Sequence, residues 1–140
     1  MRLVLDTDVV VAAIRSPTGA SASLLVLLLE GRATMLLSVA MAIEYESVCT
    51  RAEHILAAKA TLADVRNVPD AIIDSVEPVE VHYQWRPQLS DAGDEIVLEA
   101  AVNGQANAIV TFNRAHYGIA PSRFGVEVLS PAETLRRIRK

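Results

Sequence analysis

Arg2-Leu3-Val4-Leu5-Asp6-Thr7-Asp8-Val9-Val10-Val11 is the stretch that decides how this chain is read. An apolar run stops at two carboxylates one residue apart, then resumes. Residues 2–5 read as a buried strand, short and rich in leucine and β-branched side chains. Val9–Arg15 reads as the helix that follows, capped by Thr7 or Asp8. A carboxylate beside a core is costly unless a donor or a cation meets it. In open α/β sheets, polar chemistry collects outside the carboxyl ends of the strands. Asp6 is therefore the first candidate metal ligand, and the later acids are expected to converge on it.

Outward from this stretch, apolar runs alternate with helical patterns. Ser16–Gly19 reads as a loop by its turn residues. An apolar helix opens at Ser21 or Ser23, runs through Leu24–Leu29 and closes at Glu30-Gly31. Ala33–Leu37 is a second strand, and Ser38 caps a helix over Val39–Thr50. Helical patterns follow at about 53–60, from Thr61, and over Asp70–Val76 beyond Pro69. Val79–Val81 alternates as a third strand. Gln84–Leu89, with Trp85, reads as loop. Ser90-Asp91 opens a strong helix to Asn103, ended by Gly104. Ala108–Thr111 is a fourth strand, Asn113–Tyr117 a turn or short helix, and Val126–Leu129 a fifth strand. Ser130-Pro131-Ala132-Glu133 starts a last helix with Pro at its first position. The alternation predicts an α/β fold: a three-layer α/β/α sandwich around a mostly parallel sheet of four to five strands.

The totals narrow the function classes. The 140 residues suit one domain, 1–140. Hydrophobic residues make up 51 %, enough for a sizeable core, whereas aromatics at 4 % are too few for a base-stacking platform. A formal net charge of −4 argues against a broadly basic nucleic-acid surface. It leaves a metal-dependent nuclease open, because divalent cations reverse the local field. The single cysteine, Cys49, excludes an internal disulfide and a multi-cysteine metal site. No stretch reaches the ~18 apolar residues of a membrane span. Asp6 and Asp8 interrupt the first apolar run too early for a signal peptide, so a cytoplasmic location without membrane attachment is the simplest expectation.

Oxygen donors recur where strands end. Asp6 follows the first strand, Glu44 lies on the helix after the second, Asp91 and Asp94 open the helix after the third, and Thr111 and Asn113 follow the fourth. Hard cations such as Mg²⁺ and Mn²⁺ take oxygen ligands, with waters and substrate phosphate completing the shell. Gathered acids repel one another and ionise together only beside a cation. Such a site suits phosphodiester hydrolysis, in which the metal activates water and neutralises charge on the attacked phosphate. Each acid also has a structural reading. Asp8 reads equally as an N-cap. Asp91 and Asp94, three apart at a helix start, read as a cap and a dipole partner. Glu44 and Glu46 cannot share a helix face, and spacing alone does not say which points inward. Glu95 and Glu99 read as a solvated face. His54, His82 and His116 show no metal-ligand spacing, although His116 lies near the proposed site. The basic end, Arg136–Lys140, either offsets the last helix dipole or meets phosphates or an acidic partner.

Taken together, these positions resemble the PIN-domain family, specifically the toxin components of bacterial toxin–antitoxin pairs of the virulence-associated protein C type. Asp6-Thr7-Asp8 looks like the family's opening D-T-N. Ser38 through Glu44 and Val48 is similar to its helix bearing an inward Glu. Asp91-Ala92-Gly93-Asp94 with Leu98-Glu99-Ala100-Ala101 looks like its third acidic helix. Ala108–Asn113 resembles its late strand with a T-x-D or T-x-N turn, and Ser130–Glu133 a common family ending. The resemblance implies a metal-dependent endoribonuclease using Mg²⁺ or Mn²⁺. It makes Asp6, Glu44 and Asp94 the metal ligands, Asp91 a fourth acid, and Thr7, Asp8, Thr111 and Asn113 supporting residues. It further implies RNA as substrate, an antitoxin that blocks the cleft, and a homodimer. Two positions depart from the family pattern: Asp8 stands where Asn is usual, and Asn113 where many members carry Asp. These departures leave room for a catalytically weak or inactive binding module, and a structure-specific DNA nuclease is a third reading.

Overall fold

The computed structural model describes residues 1–51, 70–84 and 86–139. The helices expected at about 53–60 and from Thr61, and also His54 and Trp85, lie outside the described residues.

The apolar run at the N-terminus forms β1 (Arg2–Leu5), and its last three residues are buried. Helices α1 (Thr7–Arg15) and α2 (Ala20–Leu29) lead to β2 (Thr34–Ser38) and α3 (Val39–Cys49). After a helical stretch over 70–75 come β3 (Glu77–Val79) and α4 (Ala92–Asn103). β4 (Ala108–Val110), the single-turn α5 (Arg114–Tyr117), a 3₁₀ turn (Pro121–Phe124), β5 (Glu127–Leu129) and α6 (Pro131–Arg139) complete the order.

The five strands form one sheet in the order β3-β2-β1-β4-β5, and every neighbouring pair is parallel. The expected sandwich is present, with the sheet wholly parallel. From β1 the chain steps outward to β2 and β3, then returns to β4 on the other side. Right-handed crossovers therefore place α1 and α3 on one face and α4 on the opposite face. The packing follows: α1 contacts α2 and α3, α2 contacts α6, and α4 covers β1, β2 and β4. The reversal falls between β1 and β4, whose carboxyl ends carry Asp6 and Thr111. In an open α/β sheet this switch point is where a ligand crevice forms.

Three local expectations are corrected. The cap of α1 is Asp6 itself, whose side chain accepts from the Thr7 N–H, rather than Thr7 or Asp8. β3 lies two residues earlier than Val79–Val81. Arg2 pins it by a two-point ion pair with Glu77, and Pro78 is tolerated because β3 is an edge strand. Beyond Val79 the chain leaves the sheet, and the His82 and Tyr83 N–H groups donate to Asn103 Oδ1 instead, at 3.1 and 3.0 Å. Glu95 and Glu99 are not a solvated face; each is 5 % exposed. Glu95 Oε1 accepts from the Gln88 and Leu89 N–H groups at 2.6 and 2.8 Å. Glu99 Oε1 accepts from the Arg86 guanidinium. The loop before α4 thus supplies the donors that make burial of these two acids tolerable.

Candidate functional site

Asp6 leaves β1 where its backbone N–H still bonds Val110 O of β4, at 2.9 Å. Its carboxylate is then fixed from three directions. Oδ1 accepts from the Thr7 N–H at 2.8 Å, and Oδ2 accepts from Thr111 Oγ1 and from the Tyr117 hydroxyl, each at 2.9 Å. Thr111 is fully buried at the end of β4 and also receives the Asn113 N–H at 3.0 Å.

Asp8, two residues further on, uses a single oxygen. Its Oδ2 accepts from the Phe112 N–H at 3.1 Å and from Asn113 Nδ2 at 3.0 Å, with Thr111 Oγ1 3.3 Å away. Its other oxygen, Oδ1, is buried without a hydrogen-bond partner. Burial first, and the charge of Asp6 second, push the Asp8 carboxyl up to about 6. Asp8 therefore ties α1 to the turn after β4.

Asp94 enters from α4. Asp91 caps that helix, accepting the Asp94 N–H on Oδ1 at 3.1 Å, and itself stays exposed. Asp94 is largely buried, and its carboxyl is raised by burial and then by the charges of Asp6 and Asp91. His116 Nδ1 stands 3.6 Å from Asp94 Oδ2. The Tyr117 hydroxyl, buried with its ring, lies between Asp6 and Asp94, and burial and the Asp6 charge drive its own acidity far down.

Glu44 is half-buried on α3 and opens into a cleft shared with Thr7 and Asp8, while Glu46 is exposed. The structure thus decides which of the two glutamates turns toward α1. The Asp6 charge acts on both Asp8 and Asp94, and Glu44 lines the same cleft as Asp8. Among the described residues, no three His, Cys, Asp or Glu side chains are already gathered into a ready cation cage.

The donor set nonetheless fits a hard divalent cation. Every candidate donor is a carboxylate oxygen, the type Mg²⁺ and Mn²⁺ prefer. Asp8 and Asp94 are held toward their neutral forms by burial first and by neighbouring negative charge second, and an added cation relieves the second. The buried Asp8 Oδ1 is an acceptor still lacking a partner.

Sequence reasoning missed two tyrosines. Tyr117 lies four residues beyond Asn113, and only the burial of its ring shows that its hydroxyl needs an acceptor. Tyr45, fully buried on α3 beside Glu44, donates its hydroxyl to Leu5 O, the carbonyl just before Asp6. A phenol adjacent to an acid on an apolar helix was the available signal. A helical step of about 100° sends one of the pair into the core as the other faces the cleft.

The family description "PIN domain" matches residues 2–115. No curated protein matches the chain. Among solved structures, the chain is similar to one in the crystal structure of VapBC2 from Rickettsia felis bound to a DNA fragment from their promoter. That likeness has a TM-score of 0.61 at 15 % identity and covers 93 % of this chain and 98 % of the other. At that identity it is a likeness of fold.

Proposed function

The chain belongs to the PIN-domain family, and from that premise we propose that it is a divalent-metal-dependent endoribonuclease acting as the toxin of a toxin–antitoxin pair. One observation carries the reading: at the sheet's switch point the Asp6 carboxylate acts on two further carboxylates, Asp8 and Asp94. Among the described residues the only basic group paired with any of them is His116.

Asp6 and Asp94, with Glu44 across the cleft, would hold Mg²⁺ or Mn²⁺. When bound, the ion supplies Lewis acidity toward phosphate and lowers the pKa of water. The chain's own groups do the rest. Thr7, Thr111 and Tyr117 fix the Asp6 carboxylate so that its oxygens point one way. Asn113 and Phe112 hold Asp8 against the turn. Glu44, the acid with fewest restraints, is placed to orient or accept a proton from the attacking water, and Asp91 is the alternative. Hydrolysis would form a P–O bond from the water oxygen to the attacked phosphate, break the P–O bond to the departing ribose oxygen, and give that oxygen the proton taken from the water.

The fold shared with the VapBC2 chain supports an antitoxin partner; we also take a homodimer from the virulence-associated protein C resemblance, and a cytoplasmic setting and a single domain over 1–140 from the sequence. The test uses matched single-stranded RNA and DNA oligonucleotides with Mn²⁺, Mg²⁺ or EDTA. RNA cleavage that needs metal and spares DNA is expected. Preferential cutting of DNA flaps overturns the substrate. Absence of both cleavage and Mn²⁺ uptake leaves a binding module.

A further inference from the structure

The cleft that holds Glu44 and Asp8 does not stop at the acids. It continues along the seam between α1 and α3, over Val11 and Val48, to Arg15 and Arg51. Both arginines are exposed, and neither has an acidic partner among the described residues. By contrast, Arg2, Arg86, Arg114 and Arg137 are each paired with a glutamate.

The spacing in the sequence is matched. Arg15 follows Asp8 by seven residues, and Arg51 follows Glu44 by seven. On α1 seven residues are close to two helical turns, so Arg15 lies on the face of Asp8, about 10 Å along, while Arg51 stands two residues beyond Cys49, the last residue of α3, and lines the same cleft from just past the helix end. α1 and α3 both start at the carboxyl end of neighbouring parallel strands, so they run in the same sense. The acids therefore stand together at one end of the seam and the guanidinium groups together at the other. Placement at helix ends accounts for positive charge in general. It does not account for two arginines without an acidic partner among the described residues opening on the same cleft as the acids.

We propose that Arg15 and Arg51 form a phosphate-binding subsite that takes the backbone of a single-stranded nucleic acid one to two phosphates beyond the one at the carboxylates. The subsite rests on the nuclease reading for what sits at the acids, and it gives the substrate a direction: the strand leaves the centre along the α1–α3 seam. Forked guanidinium donors match phosphate oxygens, and the apolar floor between the two charged ends suits the riboses.

The test is fluorescence anisotropy of a labelled single-stranded RNA 12-mer in EDTA, so that nothing is cut. R15Q/R51Q is compared with R32Q/R136Q, which removes equal charge from exposed positions away from the cleft. The cleft variant is expected to lose about tenfold or more in affinity at low salt. Its slope of log K against log salt should fall by about 1.4, near 0.7 for each phosphate left without its arginine. The control should bind as the wild type does. Each single replacement should account for about half the loss of slope, which preserves the result if the double variant folds poorly. Equal binding by R15Q/R51Q and the control overturns the subsite. Metal-dependent cleavage is assayed in parallel. Arginine-dependent binding without cleavage overturns the nuclease reading and keeps the subsite, whereas cleavage with arginine-independent binding overturns the subsite alone.

Discussion

At the scale of single residues, the two departures from the family pattern touch each other. Asn113 donates its amide to Asp8, so the negative charge has moved across a hydrogen bond rather than been added. Asp8 has a raised pKa, which fixes the sign of its linkage to folding. The folded chain holds this proton more tightly than the unfolded chain does. Asp8 therefore supports folding at low pH and costs stability as pH rises from about 4 to about 6, with the loss complete above that. In EDTA, Asp8→Asn should stabilise the protein at pH 7 by roughly 1–2 kcal/mol after allowing for solvent screening, and by almost nothing at pH 4. Urea unfolding of both proteins at the two pH values measures this difference. Tyr117→Phe removes one donor from Asp6 and leaves the core packed. Metal affinity or cleavage should fall roughly 10-fold to 100-fold with an unchanged melting temperature; a calorimetric Mn²⁺ titration equal to wild type would make the hydroxyl a bystander. Asp6, Thr111 and Asn113 were legible because they interrupt apolar strands at their ends. Tyr117 was not, because only the fold carries a hydroxyl from a separate turn to Asp6.

At the scale of elements, α3 joins the site to the core. Tyr45 and Glu44 are consecutive, one bonded to the end of β1 and the other facing the cleft. Tyr45→Phe strands the Leu5 carbonyl in the interior, so it should cost about 1–3 kcal/mol and loosen Asp6 as well. Chemical unfolding together with a cleavage assay reads both effects. Gly104 closes α4 against β2 and β3, where a Cβ would lie 2.8 Å from Val79 Cγ2, 2.9 Å from Ala100 O and 3.0 Å from Leu36 Cδ1. Gly104→Ala should therefore destabilise by about 1–3 kcal/mol, measurable as a lower urea midpoint. Helix starts were the readable part of the elements: Ser38, Asp91 and Ser130 all cap as their side chains imply. The edge strand was misplaced because Pro78 hid it and its register depends on Arg2, seventy-five residues away. Glu95 and Glu99 were misread for the same kind of reason. Their partners lie on a loop whose approach to α4 is a tertiary fact.

At the scale of the molecule, the parallel order β3-β2-β1-β4-β5 does two jobs. It brings acids from β1, α3 and α4 to one end of the sheet, and it sends α1 and α3 side by side to make the cleft beside them. Alternation of strands and helices made the layers legible, but nothing in the sequence stated that the switch point falls between β1 and β4. The buried Cys49 thiol, pushed up to about 11 by burial, reports on the whole fold. Alkylation by iodoacetamide at pH 8 should be slow in the native protein and fast in urea, and rapid native labelling would contradict this core. The most direct test of the central claim is Mn²⁺-dependent cleavage of a labelled RNA by wild type and by Asp6→Asn, each shown to be folded. The wild type should cleave, and the variant should lose about a hundredfold or more in rate; equal rates for the two proteins would contradict a metal centre built on Asp6.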